Sequence, residues 1–426
     1  MEYNKEIAVK LYEKYKLDLG KYKHIAEYFK GNTDAKKNYP QTDRSNNFET
    51  YNFIKKFTIE EVSFMVGNPI TYISAEGNIE SIKNIENIIN QQKGSLDSEL
   101  CQAMLTYGHA YEMYYLDEGQ LKIRVVNPLN SIAYCNVEDE VELFLYIYMK
   151  ELDDNVYIDI FDDSYIYKCD ENFNVLETIP HYFKCCPVSK AELMNGINDT
   201  LYSEIKELQD SYEINQSTYC NEIQDTRLAY LGLYGASIDD EDATKMKEMG
   251  IIQLPIANSK AEYIIKNIDP NFIQGHISEL EDKMYQISQH INHNIGMVSN
   301  LSGTALENRL IALRNKITTN QKCLTSVLKK RIKCIFTYLN ISENANYNYN
   351  DISIKYTMNV PSNDTEMADI ISKLSNKMSI KTGLRQLSFV TNADKEFDDM
   401  MQEQRILMDF MGDLDNLKEV DVNETE

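Results

Sequence analysis

Residues 299–316, "SNLSGTALENRLIALRNK", place a segment of small residues directly before a long apolar and basic periodic run. Thr304 is followed three residues later by Glu307, which is the capping-box pattern of a helix start. Leucine and isoleucine then recur at helical spacing as far as Leu339, which predicts one helix of about 36 residues, about 54 Å long if unbroken. Residues 318–320 ("TTN") interrupt the apolar stripe, so a bend is expected there.

The same predicted helix reverses the charge of the chain. Between Thr304 and Leu339 it holds one acid, Glu307, and eight basic residues: Arg309, Arg314, Lys316, Lys322, Lys329, Lys330, Arg331 and Lys333. The formal charge of the whole 426-residue chain is −24. So acidic a chain lacks the excess of Lys and Arg with which proteins wrap nucleic acid, although it could let DNA pass without adhering.

Two further long helices are predicted upstream, over 198–227 and 272–295. The seam of the first consists of Leu201, Ile205, Leu208 and Tyr212. The seam of the second consists of Ile273, Ile277, Leu280, Met284 and Ile287. Because these residues are mostly three or four positions apart, each seam can pack closely against another helix. The insert between the two helices, 228–271, carries β-type segments around an acidic helical run at 239–249.

The first half of the chain changes from helical to strand periodicity. Helices are predicted within the first 30 residues, from about Phe48, over 79–90 and over 97–107. β-branched and aromatic segments between Ala110 and Tyr167 predict one meander of antiparallel strands.

Helical periodicity returns after Pro187, and the chain ends in short elements. Residues 351–360, "DISIKYTMNV", predict a strand, and helices are expected from about Thr365. An acidic tail begins at Asp394 and is expected to be a solvated surface. The predicted fold class is therefore α+β and predominantly helical.

Familiar catalytic and nucleotide-binding motifs are missing from the sequence. It contains no GxxxxGK[ST], GxGxxG, GxSxG or HExxH pattern. His290 and His293 could place two imidazoles on one helix face, but solvated polar positions are the preferred interpretation. The carboxylates of Glu279, Glu281 and Asp282 are likewise interpreted as a solvated helix face. His109 stands at a helix-to-strand junction with no partner nearby in sequence.

No cofactor or metal is predicted, and several features point to a cytoplasmic chain. The eight cysteines form no CxxC pair, so most are expected to be small buried hydrophobes, and Cys185 next to Cys186 is not interpreted as a redox pair. The longest apolar stretch, Val141–Met149, is too short to span a membrane, and the first ten residues lack the apolar core of a signal peptide.

An ordered series of segments resembles the portal proteins of long-tailed bacteriophages, particularly those of Gram-positive hosts. These segments are "RSNNFETYNFIKKFTIEEVSFMVGNPITY" (44–72), "YGHAYEMYYLDEGQLKIRVVNPLNSIAYC" (107–135), "HYFKCCPVSK" with "LYSEIKELQDSYEINQS" (181–217), "SGTALENRLIALRNK" (302–316) and "MSIKTGLRQLSFVTNADKEFDDMMQEQ" (378–404). No segment is specific alone, but their order and the succession of helix, insert, helix, loop and long helix are typical of that family.

The resemblance implies a division of the chain into portal regions. Expected are a wing (1–197), a first stem helix (198–227), a clip (228–271), a second stem helix (272–295), a tunnel loop (296–303), a wing-spanning basic helix with a return strand (304–360) and a crown (361–426). The tunnel loop would face DNA in the channel through Gly296, Met297, Val298, Ser299, Asn300, Leu301, Ser302 and Gly303. The insert is compact and the crown short for the family.

The resemblance also implies a function and partners. A homo-oligomeric ring, of twelve subunits in the virion, would form the capsid portal vertex and conduct double-stranded DNA during packaging and ejection. Its partners would be the terminase large subunit, a head-tail adaptor, and the major capsid and scaffolding proteins, with assembly in the bacterial cytoplasm and no membrane. The basic helix is expected to pair with acidic wing surface or a neighbouring subunit, and a minority of its charges to meet phosphate.

Two alternatives stay open at this point. One is a catalytic α+β protein whose site is assembled from dispersed carboxylates and histidines, including His109. The other is a different ring-forming connector of a phage particle, which is disfavoured because adaptors are usually much shorter.

Overall fold

A computed structural model describes residues 3–41, 45–226, 230–234, 260–264, 269–292, 303–358, 364–374, 377–384, 387, 390, 393 and 396–406. Among the described residues helix accounts for 54% and strand for 20%, so the α+β, predominantly helical prediction is confirmed. The helices are α1 Lys5–Lys30, α2 Asp34–Lys37, α3 Phe53–Val66, α4 Ile79–Asn90, α5 Leu96–Tyr107, α6 Leu201–Thr226, α7 Pro270–Ser288, α8 Gly303–Ser342, α9 Asp364–Leu374 and α10 Ile380–Leu384.

Twelve strands are formed by the described residues. They are β1 Thr71–Ser74, β2 His109–Asp117, β3 Gln120–Val126, β4 Ser131–Cys135, β5 Val141–Met149, β6 Val156–Phe161, β7 Tyr165–Asp170, β8 Val175–Pro180, β9 Val188–Glu192, β10 Tyr230–Tyr234, β11 Lys260–Ile264 and β12 Ile352–Lys355. β1 pairs with β12, and β10 with β11, in two-stranded antiparallel sheets.

The predicted single meander is wrong, because these strands belong to two sheets. One sheet has the order β3-β2-β9, and the other is a five-stranded meander from β4 to β8. The break falls between β3 and β4, where Pro128 has no backbone N–H to donate and the Asn127 side chain accepts the N–H of Leu129 at 3.0 Å. The expectation of helix directly after Pro187 is also wrong, since β9 comes first and pairs with β2.

Strand β5 is covered on both faces. Leu143, Leu145 and Ile147 pack with Ala8 and Leu11 of α1, whereas Phe144 and Tyr146 pack with residues of the three-stranded sheet. Successive side chains of a strand point to opposite faces, so apolar residues are needed at nearly every position. The run "VELFLYIYM" therefore reflects a strand between two layers.

α8 is one continuous helix of 40 residues. Residues 318–320 lie within it, and the hydroxyls of Thr318 and Thr319 donate to the carbonyl oxygens of Arg314 and Asn315, at 2.8 and 3.1 Å, so the bend expected there stays a prediction. Such bonds satisfy a hydroxyl without removing a backbone hydrogen bond. Farther along, Ile335 and Phe336 are buried in a core with residues of α4, β1 and β2.

The two predicted long helices, now α6 and α7, pack together. Leu201, Ile205, Tyr212, Ile277 and Met284 share one core with Phe53 and Phe57 of α3; Leu208, Ile273 and Leu280 are partly buried against it.

The predicted extent of the second helix, to residue 295, is wrong. α7 ends at Ser288 because Gln289 takes the left-handed conformation, with φ of 63°, and the N–H of His290 returns to Tyr285 O at 3.0 Å. Ile287 is 47% exposed, so it does not share the buried seam predicted for it.

The chain divides into two compact units. The first comprises residues 1–295 and 311–359, and the second comprises 296–310 and 360–426. In the second unit, α9 begins at Asp364, close to the predicted Thr365, and the ammonium of Lys381 lies 4.7 Å from the ring centroid of Phe397. The acidic run at 239–249 and the end of the acidic tail lie outside the described residues.

Candidate functional site

The candidate site is the part of α8 that follows the predicted tunnel loop, with the helices around it. Residues 296–302 lie outside the described residues, and Gly303 is the first residue of α8. The structure therefore describes what flanks this segment: the end of α7 on one side and the basic face of α8 on the other.

Lys316 joins four helices through one ammonium group. Its Nζ lies 3.1 Å from Glu61 Oε1 of α3, 3.0 Å from Glu204 Oε2 of α6 and 3.3 Å from the carbonyl oxygen of Ser288, the last residue of α7. One turn later Asn320 donates to Glu61 Oε2 at 3.3 Å. These residues are called the Lys316 cluster.

The Lys316 cluster is nearly closed to solvent, which makes its charges interact strongly. The side chain of Lys316 is 11% exposed and that of Glu61 is 1% exposed. Burial alone lowers the pKa of a lysine, but Glu61 and Glu204 outweigh burial and raise the pKa of Lys316 above its ordinary value. A charged Lys316 therefore ties the end of α7 to α8, on both sides of the predicted loop.

His290 lies beside this cluster and is buried. Its ring stacks on Phe57 with centroids 4.3 Å apart, and Nδ1 lies 2.8 Å from Ser288 O. Burial, with Lys316 nearby, lowers the pKa of His290 to about 3, so the imidazole is neutral. The interpretation of His290 as a solvated position is wrong, because its side chain is 0% exposed and stacks on Phe57. His293 lies outside the described residues.

Arg331 forms a second buried cluster, toward the other end of α8. Nε and Nη2 donate to the two oxygens of Glu112 in β2 at 2.6 and 2.9 Å, and Nη1 donates to Asp97 of α5 at 2.6 Å. The side chains of Arg331 and Glu112 are both 0% exposed. This fork-to-carboxylate geometry is the strongest arrangement available to an arginine. These residues are called the Arg331 cluster.

The other basic residues of α8 have different surroundings. Lys322 and Lys329 are exposed, and Arg314 is half-buried. Lys333 lies 5.7 Å from the ring centroid of Tyr349, and Lys330 is half-buried. The side chain of Arg309 is not among those described. Lys316 and Arg331 are therefore paired with buried carboxylates, whereas Lys322 and Lys329 are exposed.

Sequence reasoning missed the acids that face these cations. Glu61 follows Phe57 by four residues and precedes Met65 by four, so it occupies the apolar stripe of α3. Glu112 lies within the apolar run "AYEMYYL" of β2. A carboxylate in an otherwise buried stripe is the signal that could have predicted a buried cation.

His109 and the predicted carboxylates do not form a common site with these clusters. His109 lines a cavity of about 1040 Å³ between α1, β2, β9 and α8, and its ring packs edge-on against Tyr22 and Tyr111. Burial, with Lys190 and Lys14, lowers its pKa to about 3. Glu279 is exposed, whereas Glu281 and Asp282 are half-buried.

Metal binding and membrane insertion find no support in the described ranges. No group of three or more His, Cys, Asp or Glu side chains there could hold a metal ion. Across those same ranges, no helix combines the length and apolar character needed to cross a bilayer.

Comparison with known proteins gives concordant matches. A family model described as "Phage portal protein, SPP1 Gp6-like" matches residues 9–406. A protein named "Portal protein" from Clostridium phage phiCD119 is 21% identical over 391 residues, which covers 84% of this chain and 85% of that protein.

Solved structures are similar in fold at low sequence identity. A chain from the neck of an empty gene transfer agent particle, computed with C6 symmetry, superimposes with a TM-score of 0.52 at 9% identity, covering 81% of this chain and 89% of that one. A chain from the virion of a native gene transfer agent particle gives a TM-score of 0.49 at 9% identity, covering 81% and 88%.

Proposed function

The chain belongs to the SPP1 Gp6-like family of phage portal proteins and has a portal function, and on that premise we propose that it assembles into a homo-oligomeric ring at one capsid vertex. The ring has twelve subunits in the virion and conducts double-stranded DNA during packaging and ejection. It docks the terminase large subunit, then a head-tail adaptor, within a shell of major capsid and scaffolding proteins. Assembly takes place in the bacterial cytoplasm.

The observation that carries the proposal is the joining of α6, α7 and α8 by Lys316. In the proposed arrangement α6 and α7 are the stem, the antiparallel strand pair β10–β11 belongs to the clip, and the two larger sheets with their flanking helices form the wing. Residues 296–303 form the tunnel loop and 361–426 the crown. A loop that touches moving DNA needs fixed ends, and Lys316 connects the last residue of α7 with α8.

Acidity supports the channel proposal on electrostatic grounds. Twelve copies at −24 carry a formal charge of about −290. A channel lined in part by carboxylates repels phosphate, which lowers friction when DNA moves. A structural role follows from the family, so no catalytic step, cofactor or metal is part of the proposal.

Negative-stain electron microscopy of the purified full chain, at high protein concentration and moderate salt, tests the ring. Rings with a central hole and about twelvefold symmetry are expected. Small uniform particles under every condition would contradict the proposal.

The exposed cations of α8 provide a separate test of subunit or DNA contacts. Reversing Lys322 and Lys329 to Glu is expected to reduce ring formation or the yield of DNA-filled particles in a packaging assay. The matched control reverses Lys83 and Lys93, which are exposed elsewhere. If the two double variants behave alike, the exposed charges of α8 form only a solvated face.

A further inference from the structure

The first helix carries a basic stripe on the face that points away from its sheet. Ala8 and Leu11 of α1 are buried against the five-stranded sheet. Four exposed residues project from the opposite side within about 60° of one another, because they are spaced four, three and four positions apart. These residues, called the α1 stripe, are Lys10, Lys14, Leu17 and Lys21.

The α1 stripe combines positive charge with apolar surface. None of its three ammonium groups forms an ion pair with another described residue. Leu17 lies at the centre of the stripe and is 84% exposed. The exposed Glu6 and Glu13 lie beside this face, yet the stripe itself contains no acid. A chain of charge −24 thus keeps a positive patch here, which favours an acidic surface as its partner.

An acidic turn of the same chain offers the complementary surface. It joins β5 to β6 and has the sequence "KELDDN", residues 150–155. Leu152 is fully exposed, and Glu151 and Asp154 beside it are exposed as well. Single exposed leucines are ordinary at a protein surface, but this one also has a left-handed backbone, with φ of 66°, which a bulky side chain rarely adopts. Phe173 shares that conformation but is only 5% exposed, so its side chain is buried where Leu152 is presented to solvent.

The turn holds Leu152 outward through its own contacts. The N–H of Asp153 donates to Lys150 O at 3.2 Å. The Asp153 carboxylate accepts the Asn155 N–H at 3.0 Å and the Tyr157 hydroxyl at 2.7 Å. The ammonium of Lys150 lies 4.1 Å from the ring centroid of Tyr157. These contacts leave Leu152 and the two exposed acids for another surface, and a turn that is already fixed loses little conformational freedom on binding.

We propose that the β5–β6 turn of one subunit docks on the α1 stripe of the next copy in the ring. Leu152 packs against Leu17, and Glu151 and Asp154 face the lysines of the stripe. The two surfaces have opposite charge and the same apolar centre, and no ion pair joins them within the described part of one chain. This docking rests on the ring of the proposed function, because a closed ring joins two different surfaces of each subunit head to tail.

Charge exchange tests the contact. Lys10→Glu with Lys21→Glu, and separately Glu151→Lys with Asp154→Lys, should each raise the protein concentration at which half the chain is in rings about tenfold, because attraction at each interface becomes repulsion. The variant with all four changes should return to within about threefold of wild type, since its charges are again opposite. Rings are counted by negative-stain electron microscopy over a dilution series at moderate salt. A fourfold variant that assembles less well than either double variant would overturn the docking.

The β4–β5 turn provides a matched control. Its tip also carries a fully exposed aliphatic residue, Val137, beside the exposed Glu138 and Glu140. Glu138→Lys with Glu140→Lys should leave the half-ring concentration unchanged, and thermal unfolding checks that every variant is folded. An equal rise in this control would mean a non-specific effect of charge and would also count against the docking.

Cysteine cross-linking locates the contact without reversing any charge. Leu17→Cys with Leu152→Cys, oxidised in assembled rings, should give a ladder of covalent oligomers on a denaturing gel. Leu17→Cys with Val137→Cys should give no more cross-linking than the wild-type chain with its eight cysteines. Rings without that ladder would overturn the docking and leave the proposed function standing. A wild-type chain that forms no rings would contradict the proposed function itself, and the docking with it.

Discussion

Lys316 and Arg331 lie fifteen residues apart on α8 and hold that helix in different ways. Lys316 uses one compact ammonium to contact three helices, and it keeps a small exposed fraction. Arg331 uses a planar fork to hold the Glu112 carboxylate with two bonds and donates a third bond to Asp97 of α5, and it has no exposure. The lysine suits a junction of several helices, whereas the arginine suits the bidentate binding of one carboxylate.

The comparison predicts the largest loss of stability for Arg331→Met. This change leaves Glu112 charged, buried and without its cation, which costs about 4–5 kcal/mol of unfolding free energy, measured by urea denaturation. Arg331→Lys should not restore it, because an ammonium cannot make the two parallel bonds.

Lys329→Met is the matched control on the same helix, where the change should be within about 0.5 kcal/mol. The double variant Arg331→Met with Glu112→Leu should lose less than Arg331→Met alone. If Arg331→Met lowers the free energy of unfolding no more than Lys316→Met does, the expected difference between the two clusters is contradicted.

Lys316→Met should cost less, about 3 kcal/mol, because Glu204 retains access to water. Adding Glu61→Gln should recover part of that loss, since it removes the buried negative charge. The same denaturation measurement applies. Additive effects of the two changes would mean that Lys316 and Glu61 do not interact.

His290 should make stability at the Lys316 cluster depend on pH, because it packs beside that cluster and not beside the Arg331 cluster. Its folded pKa of about 3 lies below the ordinary 6.5, so the unfolded chain binds the proton first as pH falls. Stability from neutral His290 is present above pH 6.5 and declines toward pH 3. Between pH 6.5 and 5 the decline is about 1.5 kcal/mol, and His290→Phe, which retains the stacking on Phe57, should reduce it by that amount. An unchanged acid slope in the variant would contradict this account.

The titration of Glu213 is expected to change the free energy of unfolding least, and in the opposite direction, since stability falls as pH rises. Glu61 is paired with Lys316, whereas this buried carboxylate of α6 accepts bonds from the Thr33 hydroxyl at 2.6 Å and the Tyr51 N–H at 2.9 Å. Burial raises its pKa to about 7, from 4.5.

The folded chain therefore binds this proton more readily than the unfolded chain, and the associated stability is lost as pH rises through 7. Between pH 6 and pH 8 the wild-type chain should lose about 1 kcal/mol of unfolding free energy through this group. Glu213→Gln can keep contacts with both Thr33 and Tyr51 and should not show this loss. Thermal unfolding at the two pH values measures it, and an equal loss in both proteins would contradict the assignment.

Local periodicity predicted most helices because each buries a single stripe. α4 has the predicted bounds, and α5 differs from its prediction by one residue. Strand partners were not predictable in the same way, since β2 pairs with β9 across a separation that no local pattern encodes. Just beyond the end of α7, His290 stacks on Phe57, which is also a contact between distant residues.

Only the cations of the candidate site were predictable from the sequence. The eight cations of α8 are visible as a charge reversal, but the carboxylate partners of Lys316 and Arg331 lie on α3, α5, α6 and β2. Asn320 looked like an interruption of an apolar stripe, yet it donates to buried Glu61. Which cations are buried is decided by those tertiary contacts.

The spacing of Lys316 and Arg331 has a mechanical consequence. At 100° and 1.5 Å per residue, their side chains project about 60° apart at positions about 22 Å apart along the axis. Two such anchors oppose both sliding and rolling of the helix, because either motion would lengthen ionic bonds at both points. A displacement of the Lys316 end of α8 would therefore also strain the bonds between Arg331 and β2.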